Sequence, residues 1–456
     1  MNTRRQFFAI AAGGLAWAQS PNPDRPKQGM IVRSVRPEDL EMPPSGFDDY
    51  ITPIEHFYVR THVLVPQVNL RDWRLKVEGQ VQTPLTLTMD EIRRMPATEL
   101  VSVLECAGNG RSLYSPTVAG VQWVNGAVGN GRWRGVRLAD ILKRAGIQQN
   151  AVDIAFDGAD TPIGSMEDFQ RALPLAKAMD PNTLLAYEMN GESLPGKHGF
   201  PLRVVAPGWA GDHWMKWVTS VRVLDKEFDG WWVKNAYRHP GKPVVPGTAL
   251  AQDAMTPLRS LRVKSVISSP VDGAQILVGK AVTIRGAAWS GDGGPVTGVE
   301  VSVDNGRSWK RAELGSEQSR FGWRLWRVTW TPATEQFYTV LARARDTSGD
   351  LQPLTQEWNP SGYLWNAAAR AGVEVGREVR APASPPSAAS SNLEEPPRFR
   401  SACLACHEAD LIQQQRLTRA QWDREINKMT GWGASVAPEE RDSFLNFLAG
   451  KFGPRP

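Results

Sequence analysis

The chain has 456 residues, 41% hydrophobic and 22% charged, ordinary proportions for a water-soluble globular protein and too many residues for a single core. Its formal net charge is +5, yet the lysines and arginines form no dense block. This argues against a nucleic-acid partner and fits small anionic ligands. There are three cysteines, and the motifs below use all of them, so no pair is left for a structural disulfide.

At the N-terminus, Thr3-Arg4-Arg5-Gln6-Phe7-Phe8 precedes an apolar run from Ala9 to Ala18 that closes on the small-x-small triplet Ala16-Trp17-Ala18. Residues 1–18 read as a twin-arginine signal peptide, because a membrane span takes roughly twenty apolar residues. No later segment reaches that length. The expected product is a soluble periplasmic protein with no membrane span after cleavage. The twin-arginine route serves proteins that fold before transport, often around a cofactor.

Residues 28–255 mix strand and helix patterns, predicting an α+β domain with glycine-rich loops. Asp72 to Gly79 alternates as a half-buried strand, and Thr88-Met89-Asp90-Glu91 opens a short helix with a capping residue and an acid three positions on. Leu138 to Ala145 is an amphipathic helix stopped by Gly146, and Leu202 to Ala206 a strand ending in Pro207-Gly208. From 256 to 376 the helical periodicity vanishes. Short alternating strands (Lys280–Arg285, Gly298–Asp304, Trp323–Trp330, Tyr338–Asp346) separated by Asp-Gly-Gly and Asn-Gly turns predict an immunoglobulin-like sandwich of seven or so strands that serves packing or dimerisation. Residues 381–397, rich in Ala, Pro and Ser, are expected to form a flexible linker. Residues 398–456 predict a small all-α domain.

That last segment carries Cys403-Leu404-Ala405-Cys406-His407, the C-x-x-C-H attachment pattern of a c-type haem. Cys403 and Cys406 bond the porphyrin and His407 supplies an axial iron ligand. Zinc is the rival occupant, but it wants about four ligands and no His or Cys follows His407. Met429, the only Met after Met255, lies in the helical stretch 421–429. It is the candidate sixth ligand, with a core position as the plain alternative; His/Met ligation raises the haem potential.

Cys106 sits in Glu105-Cys106-Ala107-Gly108-Asn109-Gly110-Arg111. A lone cysteine is most often a small buried hydrophobe, but the glycines and Asn109 mark a loop. This segment resembles the molybdenum-ligating loop of the sulfite oxidase family. Phe57-Tyr58-Val59-Arg60-Thr61-His62, His198-Gly199-Phe200-Pro201-Leu202-Arg203, Lys216-Trp217 and Trp231 to Tyr237 resemble further family segments, and the sandwich resembles its dimerisation domain. The likeness covers about 28–373.

The resemblance implies a periplasmic molybdenum enzyme oxidising sulfite to sulfate. Cys106 would ligate molybdenum carried on molybdopterin, a soft thiolate suiting a redox metal. Arg60 and Arg111 would flank the metal and hold the oxyanion with paired donors, Trp123 would wall the pocket, and Tyr237 would place its hydroxyl near the metal. His198, Arg203 and Lys216 would bind the pterin phosphate, with His62 and Asp160 as further contacts and Phe57 and Tyr58 in the same cofactor segment. Electrons would leave through haem c to a soluble cytochrome c, and a homodimer would form through the sandwich. One departure stands out: animal members carry an Arg where Ser361 stands here, so a third cation is either absent or supplied from elsewhere, such as Arg320 or Arg324. Two alternatives stay open, a sulfane or thiosulfate-pathway dehydrogenase on the same scaffold and a non-catalytic haem electron carrier.

Overall fold

A computed structural model describes residues 27–248, 250–379 and 393–454. The expected signal peptide and most of the expected linker lie outside these residues.

The first domain is built on two five-stranded sheets. One runs Glu192–Ser193, Leu184–Met189, Val128–Arg137, Ala97–Glu105, with Arg203–Val205 also paired to Leu184–Met189. The other runs Leu85–Leu87, Leu75–Gly79, Val218–Leu224, Asp153–Gly158, Arg171–Pro174, and its one parallel pairing is Leu75–Gly79 with Val218–Leu224. The short helices form where the sequence places their caps. Thr88 and Glu91 make a reciprocal capping box for Met89–Arg93. Leu138–Ala145 buries Leu138, Ile141 and Leu142 along one face and ends at Gly146 in the left-handed region. Phe57, Trp133, Leu185, Val204 and Trp214 lie in the core of this domain, and each large side chain removed from water contributes about 1.5–3 kcal/mol.

The second domain is the expected sandwich. A four-stranded sheet (Lys264–Ser269, Val282–Trp289, Arg324–Trp330, Glu313–Leu314) faces a five-stranded one (Ala274–Leu277, Ala369–Gly376, Gln336–Asp346, Val296–Ser302, Lys310–Arg311). Ile284, Val299, Trp326, Val340 and Val373 fill the space between them. A further core joins the domains: Phe47, Val103, Ala107 and Tyr237 from the first pack with Leu258, Leu261, Trp289 and Trp323. The candidate site lies against this seam.

Residues 393–454 carry four helices, Phe399–Cys403, Asp410–Gln413, Arg419–Gly431 and Arg441–Lys451, around Phe399, Trp422, Phe444 and Leu448. They rest on the first domain mainly through neutral contacts. Gln414 accepts from the Gln122 backbone N–H (2.8 Å) and donates to the Arg33 carbonyl (2.8 Å). Gln415 donates to Gly120 O (2.9 Å), and Gln421 donates to Thr117 O (2.9 Å). The exposed pair Arg36–Glu408 adds one ionic contact. Beyond the end of its helix, Trp432 sits 5.8 and 5.9 Å from the rings of Trp231 and Trp232. No helix among the described residues is long and apolar enough to cross a membrane.

Candidate active site

Strand Ala97–Glu105 delivers Cys106 to the seam, and the chain then turns tightly. Asn109 N–H donates to the Cys106 carbonyl (2.9 Å), Arg111 N–H donates to Gly108 O (2.9 Å), and Gly110 has φ 97°, a value glycine tolerates best. The turn is anchored from the second domain. Lys264 pairs with Glu105 (2.9 Å) and donates to Asn109 O (3.3 Å), while Trp289 Nε1–H (2.7 Å) and Asn109 Nδ2–H (2.9 Å) also donate to Glu105. All four side chains are buried, so this is a satisfied network in a dry setting. Burial pushes the Cys106 thiol up, and the nearby Arg60 and Arg111 pull it back towards thiolate.

Cys106 opens onto a cleft beside the seam between the two domains. Tyr58, Arg60, His62, Asp160, His198, Arg203, Lys216 and Tyr237 line it as the sequence predicts, and Thr61, Phe169, Lys197, Asp212, Trp214 and Trp217 join them. Arg60 is steered by buried Asp39 (3.2 Å) and by the Thr61 carbonyl. Burial raises Asp39 to about 6 despite the pull of Arg60. Burial also disfavours the Arg60 charge, but Asp39, Tyr237 and Cys106 together more than offset this and hold the guanidinium above its ordinary value. At neutral pH both groups are charged. His62 Nε2 and the Tyr237 hydroxyl share a 2.6 Å hydrogen bond, with the His62 ring stacked 4.2 Å from Phe169. Burial drives His62 well below its normal value and Tyr237 well above, so both are neutral. Tyr237 holds this place with φ 52°, a strained value for a non-glycine residue.

The opposite end of the cleft is basic. Arg203 donates to His198 O (2.8 Å) and Trp214 O (3.1 Å) and lies 4.9 Å over Trp133, while its Nε has no partner among the described residues. Burial brings it down to about 10. Lys216 donates to Arg60 O and Lys197 O (3.1 Å each), and burial and Arg203 lower it to about 7. Neither cation forms an ion pair among the described residues. Asp160 is raised to about 6, chiefly by burial. His198 is neutral through burial, then through Lys27, whose ammonium lies 2.9 Å from Nε2.

Three expected residues stand one layer back. Phe57 packs edge-on to His198 (5.6 Å) and Trp123 edge-on to Tyr58 (6.5 Å), both fully buried. Arg111 does not reach the cleft wall. It donates to Val121 O (3.0 Å), lies 5.1 Å from the Tyr363 ring, and leaves Nε unpartnered among the described residues. A Cβ on Gly108, Gly120 or Gly362 would come within 2.7–2.9 Å of its side chain, so these glycines form its slot. Ser361 lies beside this slot, its carbonyl 3.5 Å from Arg111. Neither Arg320, over Phe321 (5.2 Å), nor Arg324, bonded to Gln318 (3.0 Å) and Gly315 O (2.8 Å), lines the cleft.

The sequence reading missed Asp39, the buried pair Arg171–Asp212, and Tyr363. Arg171 also bonds the Trp232 carbonyl and lies 5.0 Å over the Tyr237 ring, while Tyr363 stacks on Tyr237 at 5.5 Å. A buried arginine and carboxylate give no periodic signal. Tyr363 was available two residues beyond the Ser361 position.

The cleft suits an anionic, sulfur-liganded metal cofactor. It offers one thiol, the cations Arg203 and Lys216 without a salt bridge among the described residues, and an unpartnered Nε on buried Arg203. Isolated buried cations are costly without a counter-ion, and a phosphate at the Arg203–Lys216 end would supply one. Elsewhere, Cys403 is partly buried and Cys406 exposed, both as free thiols, and His407 Nδ1 bonds Glu408 O (3.0 Å), leaving Nε2 available. Met429 is half-buried and stands outside the small core of these helices.

The chain matches the oxidoreductase molybdopterin binding domain over residues 62–232 and the Mo-co oxidoreductase dimerisation domain over 256–375. It is 38% identical to mitochondrial sulfite oxidase of Mus musculus across 78% of this chain and 68% of the mouse protein. It is 35% identical to sulfite oxidase of Gallus gallus across 77% of this chain and 79% of that one. Among solved structures, the sulfane dehydrogenase SoxCD from Paracoccus pantotrophus superposes with a TM-score of 0.64 at 26% identity, covering 81% of this chain and 93% of that one. With the Cys106 cleft at the seam of these two domains, the chain belongs to the sulfite oxidase family and is a molybdopterin-dependent oxidoreductase.

Proposed function

We propose that the protein oxidises sulfite to sulfate in the Cys106 cleft and passes the electrons singly to haem c bonded at Cys403 and Cys406. The convergence of the Cys106 thiol with the unpaired cations Arg203 and Lys216 in one cleft carries this reading. When bound, molybdopterin-held molybdenum supplies oxygen-atom transfer and two-electron storage. Cys106 would be the protein ligand, and His198, Arg203 and Lys216 would hold the phosphate end of the pterin, with Asp160 and Lys197 beside them. Arg60, braced by Asp39, presents its guanidinium to sulfite and stabilises the charge that builds during transfer. His62 orients the Tyr237 hydroxyl through the 2.6 Å bond. Arg111, held in its glycine slot, contributes positive field from behind the wall, and Tyr58 and Trp123 exclude water.

In the C-terminal helices, His407 Nε2 and Met429 would hold the haem iron. The acceptor is a soluble cytochrome c, the sandwich joins two copies into a homodimer, and the N-terminal twin-arginine segment directs export to the periplasm. Metal analysis of exported protein together with sulfite-dependent reduction of ferricytochrome c tests the proposal. Molybdenum near one per chain and a Cys106→Ser variant that loses turnover but keeps its haem spectrum are expected. An active Cys106→Ser enzyme would sink it. The similarity to SoxCD and Ser361 in place of an arginine favour a second reading, a dehydrogenase of sulfane sulfur on a carrier; relative turnover of sulfite and carrier-bound sulfane decides between them.

A further inference from the structure

A second cleft opens beside the Arg238–Pro240 and Met255–Pro257 hairpin, lined by His239, Lys242, Arg262, Glu357, Trp358 and Asn359. Arg262 is half-buried, and among the described residues it makes no hydrogen bond or ion pair. Several other arginines of the two domains are satisfied within the fold. Arg238 is committed to the carbonyls of Val233 and Met255, and Arg285, Arg327 and Arg343 of the sandwich each pair with a carboxylate. The Arg262 nitrogens stay open to solvent, so an acceptor entering the cleft exchanges only water for a forked, charge-assisted donor.

The rest of the cleft is built to receive that acceptor. Lys242 brings a second cation from the exposed hairpin, against the single carboxylate of Glu357. The wall is fixed: Trp358 Nε1–H donates to Pro116 O (2.9 Å), and Asn359 donates to Tyr114 Oη (3.0 Å) and Tyr363 O (2.9 Å). The same Asn359 Oδ1 accepts the backbone N–H groups of Ser361 and Tyr363 (3.2 Å each). This strut separates the cleft from the Cys106 site, with Tyr363 facing Arg111 on the far side.

We infer that this cleft is a second anion site, taking a small doubly charged oxyanion of the sulfate class on Arg262 and Lys242. A forked guanidinium and a mobile ammonium match the several acceptor oxygens of such an ion. The site is separate from the proposed reaction, so its test does not depend on turnover. Crystals of the holoprotein soaked in millimolar selenate, measured at the selenium edge, should show an anomalous peak within hydrogen-bonding distance of the Arg262 guanidinium. Equilibrium dialysis with radiolabelled sulfate should show one fewer ion per chain in Arg262→Gln, or a dissociation constant for that ion raised roughly ten- to hundredfold. Lys242→Gln, on an exposed hairpin where folding is not at stake, should weaken the same ion by a smaller factor. No peak beside Arg262, or unchanged binding in both variants, overturns the inference.

Discussion

Replacing Lys264 with Met tests whether the second domain holds the Cys106 turn in place. At 2.9 Å from Glu105, the pair attracts by about 6 kcal/mol at an effective dielectric constant near 20. Most of that offsets the desolvation of both charges, so the informative quantity is the cost of breaking the pair. Lys264→Met strands a buried carboxylate that retains the donors of Trp289 and Asn109, and removing one partner of a buried pair costs about 3–5 kcal/mol. Met fills similar volume, so cavity formation adds little. The assay is chemical denaturation followed by tryptophan fluorescence, with molybdenum content measured on the same samples. The double variant Glu105→Gln/Lys264→Met removes both charges and should recover most of the loss, giving a coupling energy from the cycle. If Lys264→Met unfolds within about 0.5 kcal/mol of native and keeps its molybdenum, the pair does not brace the turn and the reasoning fails.

Arg60→Gln should raise the KM for sulfite roughly ten- to hundredfold through loss of charge-assisted hydrogen bonds, and steady-state kinetics against sulfite concentration measures it; an unchanged KM refutes the role. Lys216 has a folded-state pKa of about 7 against an ordinary 10.5. Between those values the unfolded chain binds a proton that the folded cofactor-free chain does not, so this group makes stability rise with pH across that window. Thermal unfolding of cofactor-free protein should show the rise, and Lys216→Met should flatten it. Gly120→Ala should cost about 1–3 kcal/mol and displace Arg111, because Gly120 has φ 119° and its Cβ would lie 2.9 Å from the guanidinium; thermal unfolding reports the cost.

The amino-acid order made the two-domain plan legible because both domains rest on local signals. Thr88 with Glu91, Gly146 after an amphipathic run, and alternating strands such as Arg324–Trp330 each need only neighbouring residues. The edge strands Lys310–Arg311 and Glu313–Leu314 are two residues long, too short to show alternation, which is why the strand total came out low. Within the cleft, Cys106, Arg60, Arg203 and Lys216 could be found because they sit in recognisable segments. Asp39 and Asp212 could not, since their partners lie 21 and 41 residues away and meet them only through tertiary folding. Arg111 was found, but its aim was not. Its slot needs Gly108, Gly120 and Gly362 together, and nothing local links those three positions.

The way the C-terminal helices rest on the first domain bears on how ionic strength should act. Amide-to-carbonyl contacts from Gln414, Gln415 and Gln421 carry no net charge, so added electrolyte screens only the smaller charged share contributed by Arg36, Glu408 and Asp410. An encounter between separate charged proteins responds steeply to the same change. If the tail carries electrons as proposed, raising sodium chloride should slow delivery to an external carrier more than intramolecular reduction of the tail, so a single salt titration can tell the two stages apart.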